Sequence, residues 1–186
     1  GGFDGTSTLN MAAAYGAIAN DGVYIEPIFY TKVEDKQGNI YIQAKPIEDR
    51  SKRVMSADNA YIVKSMLKSV TSGAGGTATY CAISGMDVAT KTGTTNGDYD
   101  RWLCGFTPYY TAATWYGYDE NETVTGWGTS PAAQIWASVM KQAHSGLEGK
   151  TFAQSRPDGV TTAKVCRDSG LLPNEHCEKD PRGDRT

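Results

Sequence analysis

The amino-acid sequence predicts an α+β domain in which an antiparallel sheet is flanked by helices. Two segments, 57–71 and 131–144, repeat apolar residues at helical spacing. Between them lie three consecutive strand-like segments, the last two joined by a short connection typical of a hairpin. With 186 residues, of which 39% are apolar, the chain is long enough for one domain with a hydrophobic core.

The first predicted helix covers residues 6–20, with Thr6 or Ser7 as its N-cap. It ends at Asn20-Asp21-Gly22, a typical helix stop. Its predicted inner face is made mainly of alanine and glycine, which allow close approach to a neighbour, so we expect a deeply buried helix. Short strands are then predicted at 23–25, 29–34 and 40–43, the last two forming a hairpin.

The two later helices carry predicted N-caps at Ser56 and Ser130, and Pro131 suits a first helical position. The glycine-rich segment 71–77 predicts a helix end and a turn, because the Gly-Lys-Ser/Thr of a phosphate loop is absent. Periodicity predicts two buried stripes, one of Ile62, Val63, Met66, Leu67 and Val70, and one of Ile135, Trp136, Val139 and Met140.

The predicted sheet strands are 86–94, 101–107 and 111–118, and their aromatic residues are expected to pack in the sheet and core. From Gly146 onward the sequence is irregular. We therefore predict a domain part at residues 1–146 and an irregular extension of the same domain at 147–186.

Charge and composition exclude several functions. The net charge of −3 leaves no basic excess for nucleic acid, and no polybasic run indicates a membrane surface. No apolar run approaches the roughly 20 residues that span a bilayer. The chain shows no initiator Met or signal peptide, and its glycine-rich start resembles a loop within something longer.

Four cysteines and two histidines are too scattered to predict a zinc site, so no metal is expected. Cys104 lies in an apolar run and is expected to be a buried thiol. Cys166 and Cys177 flank a loop-like segment. They are either a disulfide in an oxidising compartment or two free thiols.

The segment Lys91-Thr92-Gly93-Thr94 carries the clearest chemistry. In an extended strand, Lys91 and Gly93 face one side and Thr92 and Thr94 the other. Gly93 leaves the backbone uncovered, so a ligand can approach closely. A cation beside hydroxyls on such a strand suits an anionic, peptide-like ligand, although three letters by themselves are a weak signal.

The chain as a whole resembles the C-terminal half of the transpeptidase domain of class A penicillin-binding proteins. Lys-Thr-Gly is one of three motifs of this superfamily. The resemblance implies a serine β-lactamase/D,D-transpeptidase-like fold, of which this is an incomplete C-terminal part. The matching segments, in order, are Gly1-Gly2, Met11–Tyr15, Asn20–Val23, Gly76–Ala78, Lys91–Thr95, Asp100–Pro108, Trp115–Asp119 and Val165–Gly170.

The resemblance implies acyl transfer from D-Ala-D-Ala stem peptides of peptidoglycan, inhibited by β-lactams, without a metal or other cofactor. Lys91 would support the anionic substrate and the proton network. Thr92 and Thr94 would offer hydroxyls to its carboxylate, and the Thr94 backbone N–H would be an oxyanion-hole donor. Gly93 would leave room for the substrate, and Trp102 and Tyr109 are weaker candidates for the cleft wall.

The nucleophile is not expected in this chain. The family's Ser-x-Asn motif is absent, and in the family both missing motifs precede this segment. A Ser-x-x-Lys match at Ser65–Lys68 lies on the predicted polar face of its helix, whereas a nucleophilic serine needs a water-poor cleft beside its base. We therefore expect the preceding half of the domain to be a partner, covalently or as a second chain.

Two other functions stay open: a serine β-lactamase or D,D-carboxypeptidase, and a non-catalytic β-lactam sensor. The segment Asp100–Pro108 and the tail around Cys166 favour the transpeptidase. The resemblance also implies an upstream glycosyltransferase domain and an anchor at the extracytoplasmic face of the bacterial membrane.

Overall fold

A computed structural model describes residues 5–125, 128–152, 155–183 and 185–186 of the chain. These residues form two compact units, divided between Ser155 and Arg156. The elements are α1 (Thr8–Ala19), β1 (Val23–Ile25), β2 (Lys32–Glu34), β3 (Ile40–Gln43), β4 (Ser51–Arg53), α2 (Ala57–Ser72), β5 (Ala89–Thr94), β6 (Asp100–Phe106), β7 (Thr111–Gly117), α3 (Pro131–Ala143) and, in the second unit, α4 (Glu175–Glu178).

The first unit has the predicted α+β architecture. Its main sheet is antiparallel, with strands in the order β5-β6-β7. Two smaller antiparallel pairs, β1 with β4 and β2 with β3, complete the strands that the described residues form. The predicted hairpins between β2 and β3 and between β6 and β7 are therefore confirmed.

Helices cover both faces of the main sheet because successive strand residues point to opposite faces. On one face, Leu103 of β6 joins a core cluster with Trp136 and Met140 of α3. On the other face, Phe106 of β6 and Leu67 of α2 form a second cluster. The indole N–H of Trp136 donates to the Ala112 carbonyl at 3.0 Å, which fixes α3 against β7.

Serine N-caps begin two helices as predicted. The Ser7 hydroxyl accepts from the Asn10 N–H at 3.1 Å, and the Ser56 hydroxyl accepts from the Asn59 N–H at 3.2 Å. Ser130 precedes Pro131 at the start of α3 but makes no capping hydrogen bond through its side chain.

The expected deep burial of α1 is wrong. Of its residues, only Ala17 is buried, and Leu9 is 38% exposed. The helix packs on β1, β6 and β7 through one side. Its small residues do allow close approach, since a methyl group at Gly16 would lie 3.9 Å from Thr111 Oγ1. Close packing on one side does not bury the other side.

The predicted stripes of α2 and α3 are each wrong at two positions. Met66 and Ile62 are 64% and 44% exposed, whereas Leu67 is buried as predicted and α2 also buries Ala60, Lys64 and Thr71. In α3, Trp136 and Met140 are buried as predicted, whereas Ile135 and Val139 are 45% and 56% exposed. The buried faces of the two helices also carry alanines, a threonine and an ion-paired lysine. A pattern of large apolar residues does not predict these positions.

Residues 147–152 are bonded to the first unit. The Asp87 N–H donates to the Lys150 carbonyl at 2.9 Å, and the Phe152 N–H donates to Asp87 Oδ2 at 3.0 Å. The first unit thus extends to Ser155. The domain boundary predicted after residue 146 stays a prediction.

The second unit, Arg156–Thr186, is mostly irregular apart from α4. Its Asp168 carboxylate pairs with Arg182 at 2.6 Å and with Arg185 at 2.7 Å. Among the described parts of both units, no helix combines the length and apolar character needed to cross a membrane.

Candidate functional site

Strand β5, which carries Lys91-Thr92-Gly93-Thr94, lies at one edge of the main sheet. Its inner neighbour β6 pairs Lys91 with Cys104, Gly93 with Trp102 and Thr94 with Arg101. No strand among the described residues pairs with its outer edge. That edge is therefore open to pairing with an extended ligand, as edge strands are in peptide-binding domains.

A cavity of about 230 Å³, the β5 cavity, opens between β5, β6 and α1. Burial raises the pKa of Tyr15 to about 12 and that of Cys104 to about 11, so both stay neutral near pH 7. Lys91 is then the one charged side chain among the lining residues, which suits an anion. The lining is Thr6, Met11, Tyr15, Lys91, Thr92, Gly93, Trp102 and Cys104.

The Lys91 side chain is exposed, and its Nζ donates to the Thr92 carbonyl at 3.0 Å. Gly93 faces Trp102 across the ladder, and a methyl group there would lie 3.0 Å from Trp102 Cβ. Glycine thus avoids a tight contact with the neighbouring strand and leaves the backbone of β5 open to close approach.

The two threonines are held by different neighbours. Thr92 Oγ1 lies 3.4 Å from Thr77 Oγ1, which belongs to the turn after α2. Thr94 Oγ1 accepts from Arg101 Nη1 at 3.2 Å, and the same guanidinium pairs with Asp98 at 3.2 Å. Both hydroxyls therefore sit in defined positions beside the open edge of β5.

Asp100 fixes the end of β5, a role that sequence reasoning missed. Its Oδ1 accepts from the indole N–H of Trp115 at 2.7 Å, and its Oδ2 accepts from Thr95 Oγ1 at 3.1 Å. The Asp100 N–H in turn donates to Thr95 Oγ1 at 2.8 Å. The alternation of side chains along β6 and β7 could have predicted that Asp100 and Trp115 share one face of the sheet. Only the pairing register of the two strands shows that their side chains meet.

A larger cavity of about 670 Å³, the Trp115 cavity, lies next to the β5 cavity and shares Thr6 and Trp102 with it. Trp102 thus borders both spaces, and its place in a cleft wall stays a prediction. Tyr109 lines neither cavity. Its hydroxyl donates to the Glu148 carbonyl at 3.2 Å, and its ring packs edge-on against His144.

Two Ser-x-x-Lys segments lie away from the β5 cavity. Ser65 is exposed on α2, and Lys68 is held in an ion pair with Asp87 at 2.6 Å. The second match, Ser138–Lys141, was not among the predicted motifs. It lies on α3, where Lys141 Nζ donates to the Tyr80 carbonyl at 3.1 Å. Neither lysine is placed as a free base beside its serine.

The described residues contain no cluster of three or more His, Cys, Asp or Glu side chains able to hold a metal ion. The site consists of a cation, hydroxyl groups and a strand edge. Such groups can bind an anionic peptide end and stabilise negative charge.

Two families of known proteins match parts of the chain. Residues 1–141 match the family described as penicillin binding protein transpeptidase domain. Residues 156–186, which include the whole second unit, match the family described as penicillin-binding protein 1A, C-terminal domain. The chain belongs to the penicillin-binding protein transpeptidase family.

Its relatives carry more specific names. Penicillin-binding protein 1A of Clostridium botulinum is 41% identical over 179 residues, which cover 96% of this chain and 21% of the relative. Penicillin-binding protein 1A of Haemophilus influenzae has a similar structure, with a TM-score of 0.69 at 26% identity, over 91% of this chain and 31% of the other. The D,D-transpeptidase domain of a peptidoglycan glycosyltransferase from Eggerthella lenta also has a similar structure, with a TM-score of 0.58 at 30% identity. The match covers 76% of this chain and 33% of the other. The chain therefore spans about a fifth of the curated relative and about a third of each solved chain.

Proposed function

We propose that this chain forms the substrate-binding wall of a serine D,D-transpeptidase that cross-links peptidoglycan. The observation that carries the proposal is Lys91-Thr92-Gly93-Thr94 on an open sheet edge, with Lys91 as the one charge in the β5 cavity. Family membership and the D,D-transpeptidase neighbour support the same reaction class. The partners would be D-Ala-D-Ala stem peptides and β-lactam antibiotics.

Each residue of the wall has a proposed role. Lys91 attracts the anionic end of the substrate and supports proton transfer at the reacting serine. Thr92 and Thr94 donate hydroxyl hydrogen bonds to the substrate carboxylate, and the Thr94 backbone N–H stabilises the oxyanion. Gly93 lets the substrate backbone lie against β5. Removing one oxyanion donor typically costs about 2.7–4 kcal/mol of transition-state stabilisation.

The reaction proceeds in two acyl transfers. A serine hydroxyl outside this chain attacks the carbonyl of the penultimate D-Ala, and the terminal D-Ala leaves with the proton on its amine. The amine of a second stem peptide then attacks the acyl-serine ester, forms the cross-link amide and returns the proton to the serine oxygen. No metal or other cofactor is required for this chemistry.

In the whole protein we propose that the preceding half of the domain supplies the serine, together with the Ser-x-Asn motif. A glycosyltransferase domain and a membrane anchor would precede it, with the site on the extracytoplasmic face of the bacterial cell membrane. The share of its relatives that the chain covers is consistent with such an arrangement.

A matched pair of variants tests the role of Lys91. In the full-length protein, Lys91→Ala should reduce acylation by a fluorescent penicillin by roughly 10²-fold or more, because charge stabilisation at the serine is lost. Lys36→Ala, in the exposed β2–β3 loop, serves as the control. Equal acylation of both variants and the parent protein would contradict the assignment.

The present chain provides a second test. Incubated alone with the same penicillin, it should form no covalent adduct. An adduct at Ser65 or Ser138 would show that a nucleophile lies in this chain.

A third test separates a transpeptidase from a carboxypeptidase. Stem peptide and an amine acceptor are supplied together to the full-length protein, and cross-linked product is expected in excess of hydrolysed peptide.

A further inference from the structure

The second unit has little apolar surface to hold it together. Cys166 is 8% exposed, whereas Val165, Leu171 and Leu172 are 45%, 70% and 74% exposed. Units of fewer than about 40 residues generally need a disulfide, a metal or a partner for stability. The described residues offer no metal-binding cluster. The cysteines are therefore the groups to examine.

Backbone hydrogen bonds bring the two cysteine segments together. The Arg185 N–H donates to the Cys177 carbonyl at 3.0 Å, and the Arg167 N–H donates to the Arg185 carbonyl at 2.8 Å. Arg185 thus joins the segment next to Cys166 to the segment that carries Cys177. In the structure both cysteines are free thiols, and Cys177 lies near enough to the Cys166 thiol to contribute to its lowered pKa.

The chemical environment separates this pair from the other two cysteines. Hydrogen bonds from Ser169, and then from the Asp168 N–H and Cys177, lower the pKa of Cys166 to about 7, so a large fraction is thiolate at neutral pH. Burial raises the pKa of Cys81 and of Cys104 to about 11. These two lie in the first unit and are nearly inaccessible, at 0% and 2% exposed.

We propose that Cys166 and Cys177 form a disulfide that closes the second unit, while Cys81 and Cys104 stay as thiols. This inference concerns a covalent cross-link away from β5 and does not rest on the proposed transpeptidase activity. The disulfide would close the segment between Cys166 and Cys177 into a ring. Arg185 is hydrogen-bonded to this ring through its N–H, to Cys177, and through its carbonyl, to Arg167.

The bond forms by exchange with an external disulfide, for which glutathione disulfide is the probe. Half-buried Cys177 first forms a mixed disulfide and releases one glutathione thiol. The Cys166 thiolate then attacks the Cys177 sulfur and displaces the second glutathione as thiolate. The two cysteines lose two electrons and two protons, and one glutathione disulfide becomes two glutathione thiols.

Mass spectrometry tests the assignment on the full chain. After equilibration with reduced and oxidised glutathione, the protein is denatured and its free thiols are alkylated. The expected product carries two alkyl groups, at Cys81 and Cys104, and a proteolytic digest links the peptides of Cys166 and Cys177. Alkylation of all four cysteines, a link to Cys81 or Cys104, or a link between two chains would overturn the proposal.

Variants and a stability readout complete the test. In Cys166→Ser, the Cys177 mixed disulfide with glutathione should accumulate because the resolving thiol is gone.

In the parent chain, oxidation should slow proteolysis of the second unit by roughly tenfold to a hundredfold, since a closed loop restricts the unfolded state. Cys81→Ser is the control and should leave the link intact. Equal proteolysis rates before and after oxidation would show that the bond does not hold the unit together.

Discussion

Single residues around β5 are fixed by side-chain partners in the turn after β5 and on the neighbouring strands. Asp100 accepts hydrogen bonds from Trp115 and Thr95 and thereby ties the end of β5 to β7. Arg101 holds the Thr94 hydroxyl and pairs with Asp98 at the same end of the strand. The orientation of the Thr94 hydroxyl thus depends on Arg101, which Asp98 holds in turn.

Asp100→Ala should therefore lower the free energy of unfolding by about 1–3 kcal/mol, because it leaves the Trp115 indole N–H and the Thr95 hydroxyl without their acceptor. Denaturant unfolding of the parent and variant full-length proteins measures the difference. Asp119→Ala is the control, since this exposed residue should change stability by no more than about 0.5 kcal/mol. An Asp100 variant as stable as the control would contradict the tie between β5 and β7.

Lys64 is a buried cation whose partners come from the end of α1. Its Nζ donates to Asp21 Oδ1 at 2.9 Å and to the Ala19 carbonyl at 3.1 Å, and its side chain is 7% exposed. The Asp21 side chain is 47% exposed, so water screens part of this pair. The pair nevertheless gives this buried side chain a carboxylate partner inside the protein.

Asp21→Asn should cost about 1–2 kcal/mol of stability, because the buried ammonium loses its carboxylate but keeps a carbonyl. Asparagine also tolerates the positive φ of 54° at this position, so backbone strain does not add to the effect. The matched control is Glu34→Gln, which removes an exposed pair with Lys32 and should shift thermal unfolding very little. A loss of the same size in both variants would mean that burial of Lys64 does not matter.

Among whole elements, helices α2 and α3 show how tertiary contacts choose a face. Both helices form where predicted, yet Met66 and Val139 point to solvent in the described chain. Small residues such as Ala60 and Ala133 are instead buried, where their size allows close approach to neighbouring elements. A helix is placed by the fit between its surface and its neighbours, and large apolar side chains are only one contribution to that fit.

The second unit is held by carboxylate–arginine contacts, so it should respond to acid. Hydrogen bonds from Arg185 and Arg182 hold the pKa of Asp168 below its ordinary value, and those from Arg182 do so for Asp180. A carboxyl group whose pKa is lower in the folded state stabilises the fold at pH values above its ordinary pKa of about 3.9. This stabilisation is lost as the pH falls through the folded-state pKa. The second unit should therefore be least stable at low pH.

Hydrogen exchange of the Arg167 and Arg185 amides measures this loss. Protection at these amides should fall between about pH 4 and pH 2, while the first-unit core amide of Leu103 serves as the internal reference. Asp168→Asn should reduce protection already at pH 6 and flatten the pH dependence. Unchanged protection down to pH 2 would contradict a structural role for these ion pairs.

At the scale of the whole chain, several large apolar side chains are exposed. Phe29, Tyr41 and Met66 are 83%, 74% and 64% exposed, and Val139 is 56% exposed. Exposed apolar surface of this kind favours contact with further protein surface.

The isolated chain should accordingly bind an apolar dye such as ANS and associate as its concentration rises. Dye fluorescence and analytical ultracentrifugation provide the measurements, with the full-length protein as the control of lower dye binding per residue. A chain that is monomeric, binds no dye and unfolds in one sharp transition would show that it is stable by itself.

Sequence by itself determined the α+β class, the positions of the main helices and strands, and the Lys91–Thr94 motif. These features depend on local rules, namely helix caps, periodicity and turn residues, and on a distinctive order of motifs. Tertiary structure decided which helix faces are buried, that Asp100 meets Trp115, and that Arg185 joins the segments of Cys166 and Cys177. Such contacts depend on strand register and on packing between residues distant in the chain, and no local pattern encodes them.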